Sequence, residues 1–309
     1  MRYGITQLVG GSPGFVEITE QEYRAISLAR HNLLEVLYLE EKFDLVTEDY
    51  FEYETELLSS STRFMIFGNQ DPAWMQNERN LISRRMINLL SAGRLYLDQS
   101  THHLHNIYGD DPAKMGELES IKSTQYDTRV GFRVMEALRN YVQHRGFPIH
   151  SVTFSWHVID IKPEARNKVL FALTPYIKPA ELEDDPKFKR AVLKELKAIG
   201  DEVDIKPLVR DYVECLSRVQ NKAREILRDN VLVWETKVNE AIGIFKSAFG
   251  IENITGLAIV IESEDGIYTE SEYIFNDFSE RRRKLERKNG LLISLSSHYV
   301  SNETIEERA

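Results

Sequence analysis

Three residues near the middle of the chain, Arg139, Asn140 and His144, have side chains that suit acid–base chemistry at a phosphate ester. Histidine titrates closest to neutral pH and can pass protons to and from oxygen atoms. Arginine keeps its positive charge and offers forked donors to phosphate oxygens. Asparagine can hold an imidazole or a phosphate through its amide. These residue types together indicate a site that stabilises phosphate charge and transfers a proton without a metal ion.

The spacing of these residues limits how they can meet on one helix. Asn140 and His144 are one turn apart and can touch. Arg139 and His144 are five residues apart, about 140° around a regular helix, so they do not share one narrow face. They can converge if the helix end unwinds near Gly146, or if a second chain supplies the partner. Glu136, one turn before Asn140, is the candidate to orient Arg139 or Asn140.

Four long helical segments are predicted from the spacing of the apolar residues. Thr19 and Glu22 form a capping box at the start of the first segment, which has a predicted break near residues 43–47. Pro207 lies in the first turn of the fourth segment, whose apolar phase slips near residues 230–234. Segments of this length favour an elongated antiparallel helical bundle with a small β-containing accessory part. The segments span about residues 19–58, 73–108, 123–143 and 204–249.

Strand-like stretches lie outside these helices and are rich in β-branched and aromatic residues. We predict strands at residues 151–160, 168–177, 256–261 and 291–299, and shorter helices at residues 187–199 and 276–288. The resulting division is an N-terminal segment with the first helix (1–72), core helices with the motif (73–150), a hairpin-like insertion (151–203), a long helix completing the bundle (204–250) and a small α/β part (251–309).

The motif at residues 139–144 has the form R-N-x-x-x-H, a version of the R-x4–6-H signature, and it resembles that of the HEPN superfamily. Members of this family are helical-bundle ribonucleases, toxins and defence effectors, and they carry the motif at the end of an amphipathic helix. The resemblance covers about residues 73–150. It implies an endoribonuclease in which His144 is the general acid/base, Arg139 stabilises phosphate charge and Asn140 organises the site.

The same resemblance implies the reaction and the assembly. The 2′-hydroxyl group of RNA would attack the phosphate to give a 2′,3′-cyclic product, with no metal or cofactor. HEPN domains typically pair so that both motifs line one interfacial cleft, which implies a homodimer. Toxin or phage-defence roles are common in the family and imply a neutralising or activating protein partner. In one toxin subgroup a partner modifies a tyrosine two residues after the histidine, and here Gly146 stands there.

The charge balance requires a local source of positive potential for any contact with RNA. The formal net charge is −10, so the whole chain offers no attractive field to nucleic acid. A groove between two copies would concentrate the two Arg139 side chains. The other source is the basic run Arg281, Arg282, Arg283 and Lys284, although interleaved glutamates make a solvated helix face the alternative reading.

Other features favour a soluble cytoplasmic protein without metal chemistry. The first residues do not form a signal-peptide pattern, and the apolar runs are too short to cross a bilayer. Cys215 is the only cysteine and is expected to be a packed thiol. His102 and His105, with Asp98 one turn away, could share a metal ion, but a solvated helix end is the preferred interpretation.

Two non-enzymatic readings of the motif remain open. The chain could be a HEPN-like module that binds a nucleotide, RNA or a protein partner without cleaving it. It could also be a helical assembly subunit in which Arg139 and His144 only stabilise an interface. At the level of side chains, Arg139 could form a surface ion pair with Glu136, and His144 could cap the helix end.

Overall fold

The computed structural model describes residues 1–11, 14–68, 71–109, 111–160, 168–274 and 277–300, and helices dominate this part of the chain. Two small antiparallel sheets accompany them. The prediction of a mainly helical protein with a smaller β-containing part is therefore confirmed. The described helices are α1 (Glu20–Phe67), α2 (Pro72–Tyr108), α3 (Pro112–Thr128), α4 (Val130–His144), α5 (Pro179–Glu183), α6 (Arg190–Ile199), α7 (Ile205–Phe249) and α8 (Asp277–Lys288).

Helix α1 begins at the capping box that the sequence predicts. The Thr19 N–H donates to the Glu22 carboxylate at 2.8 Å, and the Glu22 N–H donates to the Thr19 hydroxyl oxygen at 3.2 Å. Hydrogen bonding from Thr19 lowers the pKa of Glu22, because it favours the charged carboxylate. The predicted break at residues 43–47 is wrong. The buried face continues through this stretch, with Phe43 and Val46 at 0% exposure, and so does the helix.

Helices α2 and α7 follow the predictions closely. Helix α2 matches the predicted segment within one residue at each end. Helix α7 runs without interruption to Phe249 and has Pro207 in its first turn, where its missing N–H costs nothing. The slip in apolar phase at residues 230–234 does not interrupt it. It places the side chains of Leu232 and Val233 in solvent, where they are 61% and 65% exposed.

The single helix predicted at residues 123–143 is wrong, because α3 and α4 share this region. Arg129 between them has an extended backbone, with φ −116° and ψ 117°. Asp211 of α7 stabilises the break, since its carboxylate accepts hydrogen bonds from the Gly131 N–H at 2.9 Å and from Nε of Arg129 at 2.6 Å. The first N–H groups of a helix have no carbonyl acceptor within the helix, and the Asp211 carboxylate supplies one here. A cap supplied by a distant helix leaves no local signal in the sequence.

The strands form two antiparallel sheets within the described residues. They are β1 (Arg2–Gln7), β2 (Phe15–Ile18), β3 (Ser151–Asp160), β4 (Lys168–Ile177), β5 (Val203–Asp204), β6 (Leu257–Glu262) and β7 (Tyr268–Tyr273). The predicted hairpin is confirmed as β3 and β4, and β5 extends it to the order β3-β4-β5. The other sheet has the order β2-β1-β6-β7. The N-terminal strands β1 and β2 were not predicted from the sequence; β1 pairs with the predicted strand β6, and β2 pairs with β1.

The chain divides into two compact units. The first comprises Met1–Asp44, Asp98–Leu118 and Asn221–Gly290, and it contains the four-stranded sheet. There, Nε of Arg30 in α1 donates to the Tyr273 carbonyl oxygen of β7 at 2.6 Å, and the rings of Tyr3 and Tyr23 lie 5.3 Å apart. Helix and sheet in this unit are thus joined by both polar and aromatic contacts.

The second unit comprises Leu45–Leu97, Glu119–Gln220 and Leu291–Ala309, and it contains the three-stranded sheet and α4. Phe154 of β3 packs against Phe64 of α1 and Trp74 of α2, with ring centroids 4.8 and 4.7 Å apart. Burying such rings removes a large apolar area from water. This aromatic cluster holds the β3–β4 hairpin on the helices.

The predicted strand at residues 291–299 is wrong. The Leu292 N–H donates to the Ser217 hydroxyl oxygen at 2.8 Å, and the Leu295 N–H donates to the Glu214 carboxylate at 2.6 Å. Side chains of α7 therefore satisfy backbone groups that a strand would use in a ladder. A single 3-10 turn is the only regular structure in the described residues after α8.

The helix predicted at residues 276–288 is observed as α8, which begins at Asp277, while Asn276 lies outside the described residues. Among the helices that the structure describes, none is both long enough and apolar enough to cross a membrane.

Candidate functional site

Helix α4 carries the predicted motif at its C-terminal end and packs its other face into the second unit. Its buried residues are Gly131, Phe132, Val134, Met135, Ala137 and Leu138. Helix α7 lies close to α4 at Gly131, where a Cβ atom would lie 2.5 Å from the Leu208 carbonyl oxygen. Nε of Arg133 donates to Glu195 of α6 at 3.1 Å. These contacts hold α4 in place along the turns that precede the motif.

The motif residues lie on the accessible side of this helix. Arg139 is half-buried, whereas Asn140 and His144 are exposed. The structure joins two of them directly, since Nη1 of Arg139 donates to Oδ1 of Asn140 at 3.1 Å. Among the described residues, His144 has no hydrogen-bond or ion-pair partner, so its imidazole is open to an incoming group. The guanidinium is thus oriented within one chain, while the imidazole is not.

Glu136 contacts residues on the side of α4 that faces α2 and α7 and is turned away from solvent. Its carboxylate accepts hydrogen bonds from Nη1 of Arg94 at 3.3 Å and from the Tyr212 hydroxyl at 3.1 Å. Its side chain is only 13% exposed. Within the described residues it forms no ion pair with Arg139, so any support that it lends the motif acts through the position of α4.

Tyr141, inside the motif, anchors the last turn of α4. Its ring packs edge-on against the rings of His150 and Phe188, with centroid distances of 6.2 Å to both. Nδ1 of His150 accepts a hydrogen bond from the Lys178 N–H at 2.9 Å, so the neutral ring carries its proton on Nε2. Burial lowers the pKa of His150 and raises the pKa of Tyr141. Both side chains are therefore held in their uncharged forms.

The predicted RNA-contacting residues of α8 all have carboxylate partners. The pairs are Arg281 with Glu41 at 2.6 Å, Arg282 and Arg283 with Glu235 at 3.2 and 3.4 Å, and Lys284 with Glu280 at 2.7 Å. Three of the four cations remain more than half exposed, and Arg282 is only 11% exposed. Internal pairing reduces the field that this helix presents, but exposed pairs of this kind are weak and open to exchange.

The alternative metal site at the end of α2 is not formed in the described residues, where no group of three or more His, Cys, Asp or Glu side chains could hold a metal ion. Nδ1 of His103 lies 2.7 Å from the Glu35 carboxylate. Asn106 lies within hydrogen-bonding distance of both Glu35 and Nε2 of His102, at 3.0 and 3.2 Å. The cluster is a polar network between α1 and α2 in which Glu35 and His103 are buried, whereas His102 and Asn106 are exposed.

The single thiol is packed, as the sequence predicts. Cys215 is fully buried in α7, and burial raises its pKa to about 12. A thiol that stays protonated is a poor nucleophile.

Sequence reasoning missed the residues that position the motif. Asp211 and Tyr212 act on α4 from α7, more than sixty positions along the chain from their partners. His150 is the exception, since it lies only six residues after His144 and its closeness to the motif can be read from the sequence. Comparisons of the chain with protein-family models, with curated proteins and with solved structures found no match.

Proposed function

We propose that the protein is a metal-independent endoribonuclease of the HEPN type, with its site at the end of α4. The observation that carries the proposal is the Arg139–Asn140 hydrogen bond of 3.1 Å beside the exposed, unengaged imidazole of His144. The helical character of the chain is compatible with the helical bundle of that family. The R-N-x-x-x-H pattern supplies the link to RNA cleavage.

Each of the three side chains would have a separate role in transesterification. The 2′-oxygen of the ribose forms a bond to the neighbouring phosphorus, and the bond from that phosphorus to the 5′-oxygen breaks. The imidazole of His144 accepts or delivers the proton that moves in these steps. Arg139 stabilises the negative charge that develops on the phosphoryl oxygens. Asn140 holds the guanidinium through its amide oxygen, and the products are a 2′,3′-cyclic phosphate and a 5′-hydroxyl.

Two copies of the chain are part of the proposal. The reaction needs one group to remove a proton and another to return one, and each chain offers a single His144 at this helix end. A homodimer that brings two α4 ends together would supply both groups and would place two Arg139 side chains in one cleft. Positive potential would then be concentrated at the site even though the net charge of the chain is −10.

The basic residues of α8 are proposed as auxiliary RNA contacts. Arg281, Arg283 and Lys284 are more than half exposed, so RNA phosphates could compete for them with the carboxylates that they now face. Replacing each with glutamine would then weaken RNA binding and lower the salt dependence of binding by roughly one unit of slope per lost contact. A role as a toxin or phage-defence effector in the cytoplasm, controlled by a protein partner, belongs to the same proposal and rests on the family resemblance.

The test is RNA cleavage in the presence of EDTA. Structured RNA is incubated with the wild type, with His144→Ala and with Arg139→Ala, and cyclic-phosphate ends are quantified. We expect each variant to lose at least about 100-fold in rate. His157→Ala is the matched control, because His157 is an exposed histidine on β3, and it should cleave as the wild type does. Equal cleavage by the wild type and His144→Ala would overturn the proposal.

A non-catalytic module that binds RNA, a nucleotide or a protein is the second candidate. It is favoured by the absence of any hydrogen-bond or ion-pair partner for His144 among the described residues of its own chain. The same samples separate the two functions. RNA that is bound but left intact by the wild type, with binding reduced in Arg139→Ala, would support the module.

A further inference from the structure

A pocket of about 290 Å³ in the first unit contains arginine donors that lack acceptors. Residues of α1, α7 and α8 line it, and its charged lining consists of Arg224, Arg228, Arg282, Glu40 and Glu286. The lining carries three guanidinium groups and two carboxylates, and Glu235, which binds Arg282, lies next to it as a third carboxylate. What the pocket can bind depends on which of these groups are already engaged.

The Arg224–Glu40 pair is saturated. Nε and Nη2 of Arg224 donate to the two oxygens of Glu40 at 2.8 and 2.7 Å, and Nη1 donates to the Asn289 carbonyl oxygen at 2.9 Å. The Glu40 side chain is only 1% exposed. A bidentate pair of this kind uses both oxygens of the carboxylate and the fork of the guanidinium. Neither partner is available to a ligand.

Arg282 and Arg228, in contrast, have unused donors. Nη1 of Arg282 binds Glu286 at 2.7 Å and Nη2 binds Glu235 at 3.2 Å, but its Nε is buried without an acceptor. A buried charged donor without an acceptor is rare and costly. Arg228 lies one helical turn after Arg224, is exposed, and has no ion-pair partner among the described residues. The pocket therefore needs an acceptor and not another donor.

The remaining wall of the pocket is apolar. Val36 of α1 and Leu227 and Val231 of α7 form part of it, and all three are less than 10% exposed. A ligand that satisfies the whole pocket would combine an anionic head with a carbon body. The volume is close to the lower end of the range for small-molecule sites.

We infer that this pocket binds a small organic phosphate. Its oxygens accept hydrogen bonds from Arg228 and from the terminal N–H groups of Arg282 that its two carboxylate partners leave unused, while its carbon part lies against the apolar wall. Phosphate fits better than carboxylate because its additional oxygens can accept from two guanidinium groups at once. The site lies entirely within the first unit and does not depend on the proposed RNA cleavage.

The test is a titration of the full chain with n-butyl phosphate, inorganic phosphate and n-butyrate, followed by calorimetry and by thermal unfolding. We expect n-butyl phosphate to bind saturably and to raise the Tm in proportion to the logarithm of its concentration above the Kd. Inorganic phosphate should bind less tightly because it lacks the apolar part, and n-butyrate should bind least tightly of the three.

Variants connect the binding to the two unused donors. Arg228→Gln should raise the Kd for n-butyl phosphate by roughly tenfold or more, as expected for loss of a charge-assisted hydrogen bond. Arg218→Gln is the matched control, since Arg218 is also exposed on α7 and forms no ion pair within the described residues. Arg282→Lys keeps the charge, removes the forked N–H groups and should also weaken binding. If that variant does not fold, Arg228→Gln alone decides.

Two results would overturn the inference. One is the absence of saturable binding of n-butyl phosphate to the wild type. The other is equal weakening by Arg228→Gln and Arg218→Gln, which would mean that the ligand responds only to the overall charge of the protein. Both results are independent of whether the chain cleaves RNA.

Discussion

The hydroxyl group of Tyr212 donates a hydrogen bond of 3.1 Å to the carboxylate of Glu136. Tyr212 is fully buried, and burial together with the nearby Glu136 raises its pKa well above the usual value, so the hydroxyl keeps its proton. Gly93 of α2 provides the room, because a Cβ atom there would lie 2.4 Å from the hydroxyl oxygen. Three helices, α2, α4 and α7, meet through this contact one turn before the motif.

Removing the Tyr212 hydroxyl should destabilise the fold. Tyr212→Phe leaves the ring in place but deprives Glu136 of a buried donor, so we expect a loss of about 1–2 kcal/mol in the free energy of unfolding. Urea denaturation measures it. Tyr126→Phe is the control, since the Tyr126 hydroxyl accepts a hydrogen bond of 2.9 Å from Lys189 at an exposed position. Equal midpoints for the two variants would show that the Glu136 contact contributes nothing.

Two glycine-to-alanine substitutions should change the stability of the protein in opposite directions. At Gly131 the new Cβ atom would lie 2.5 Å from the Leu208 backbone oxygen, which cannot move without shifting α7. Gly131→Ala should therefore cost about 1–3 kcal/mol of stability. Gly116 of α3 has nothing within 4 Å of a Cβ, so Gly116→Ala should add about 0.5–1 kcal/mol through helix propensity. Unfolding midpoints that move in the same direction would contradict the close approach of α4 and α7.

The stability of the protein should fall as the pH falls through the titration of His150. Burial holds the folded pKa of His150 below its ordinary value of 6.5, so the unfolded chain takes up the proton first. Stability from this group is therefore present above that value and is lost as the pH decreases below it. Urea denaturation at about pH 7.5 and about pH 5.5 measures the loss.

Two variants assign this pH dependence to the buried ring. His150→Asn keeps an acceptor for the Lys178 N–H but does not titrate, so it should lose less stability between the two pH values. His157→Asn, at an exposed position of β3, should behave as the wild type does. The assignment fails if the wild type and His150→Asn respond identically to pH.

Mixing two inactive variants tests the shared site of the proposed homodimer. Arg139→Ala provides an intact His144, and His144→Ala provides an intact Arg139. Because the proposed cleft needs both His144 side chains, the mixed dimers, which have one His144 and one Arg139, should remain inactive after random pairing of equal amounts. The measurement is RNA cleavage after subunit exchange. Recovery of roughly a quarter of the wild-type rate would correspond to one complete site in half of the dimers, and it would contradict the two-histidine cleft by showing that one His144 and one Arg139 from different chains suffice.

Much of the local structure could be predicted from the sequence. The Thr19–Glu22 capping box, the start of α7 with Pro207 and the β3–β4 hairpin all depend on residues that are neighbours along the chain. The position of Arg139, Asn140 and His144 at the end of a helix was predicted for the same reason. Hydrogen bonds between near neighbours and the spacing of apolar residues are visible in the sequence, so they predict local structure.

The contacts between these elements depend on the tertiary structure. Asp211 separates α3 from α4. Glu136 binds Arg94 and Tyr212, although Arg139 is only three positions away from it in sequence. Arg281 and Arg283 of α8 bind carboxylates that lie 240 and 48 positions away along the chain, whereas Lys284 binds Glu280 on its own helix. The position of the motif at the end of α4 could thus be predicted from the sequence, but the residues that hold α4 in place could not. A carboxylate binds whichever donors packing brings within about 3 Å, and packing is set by the whole chain.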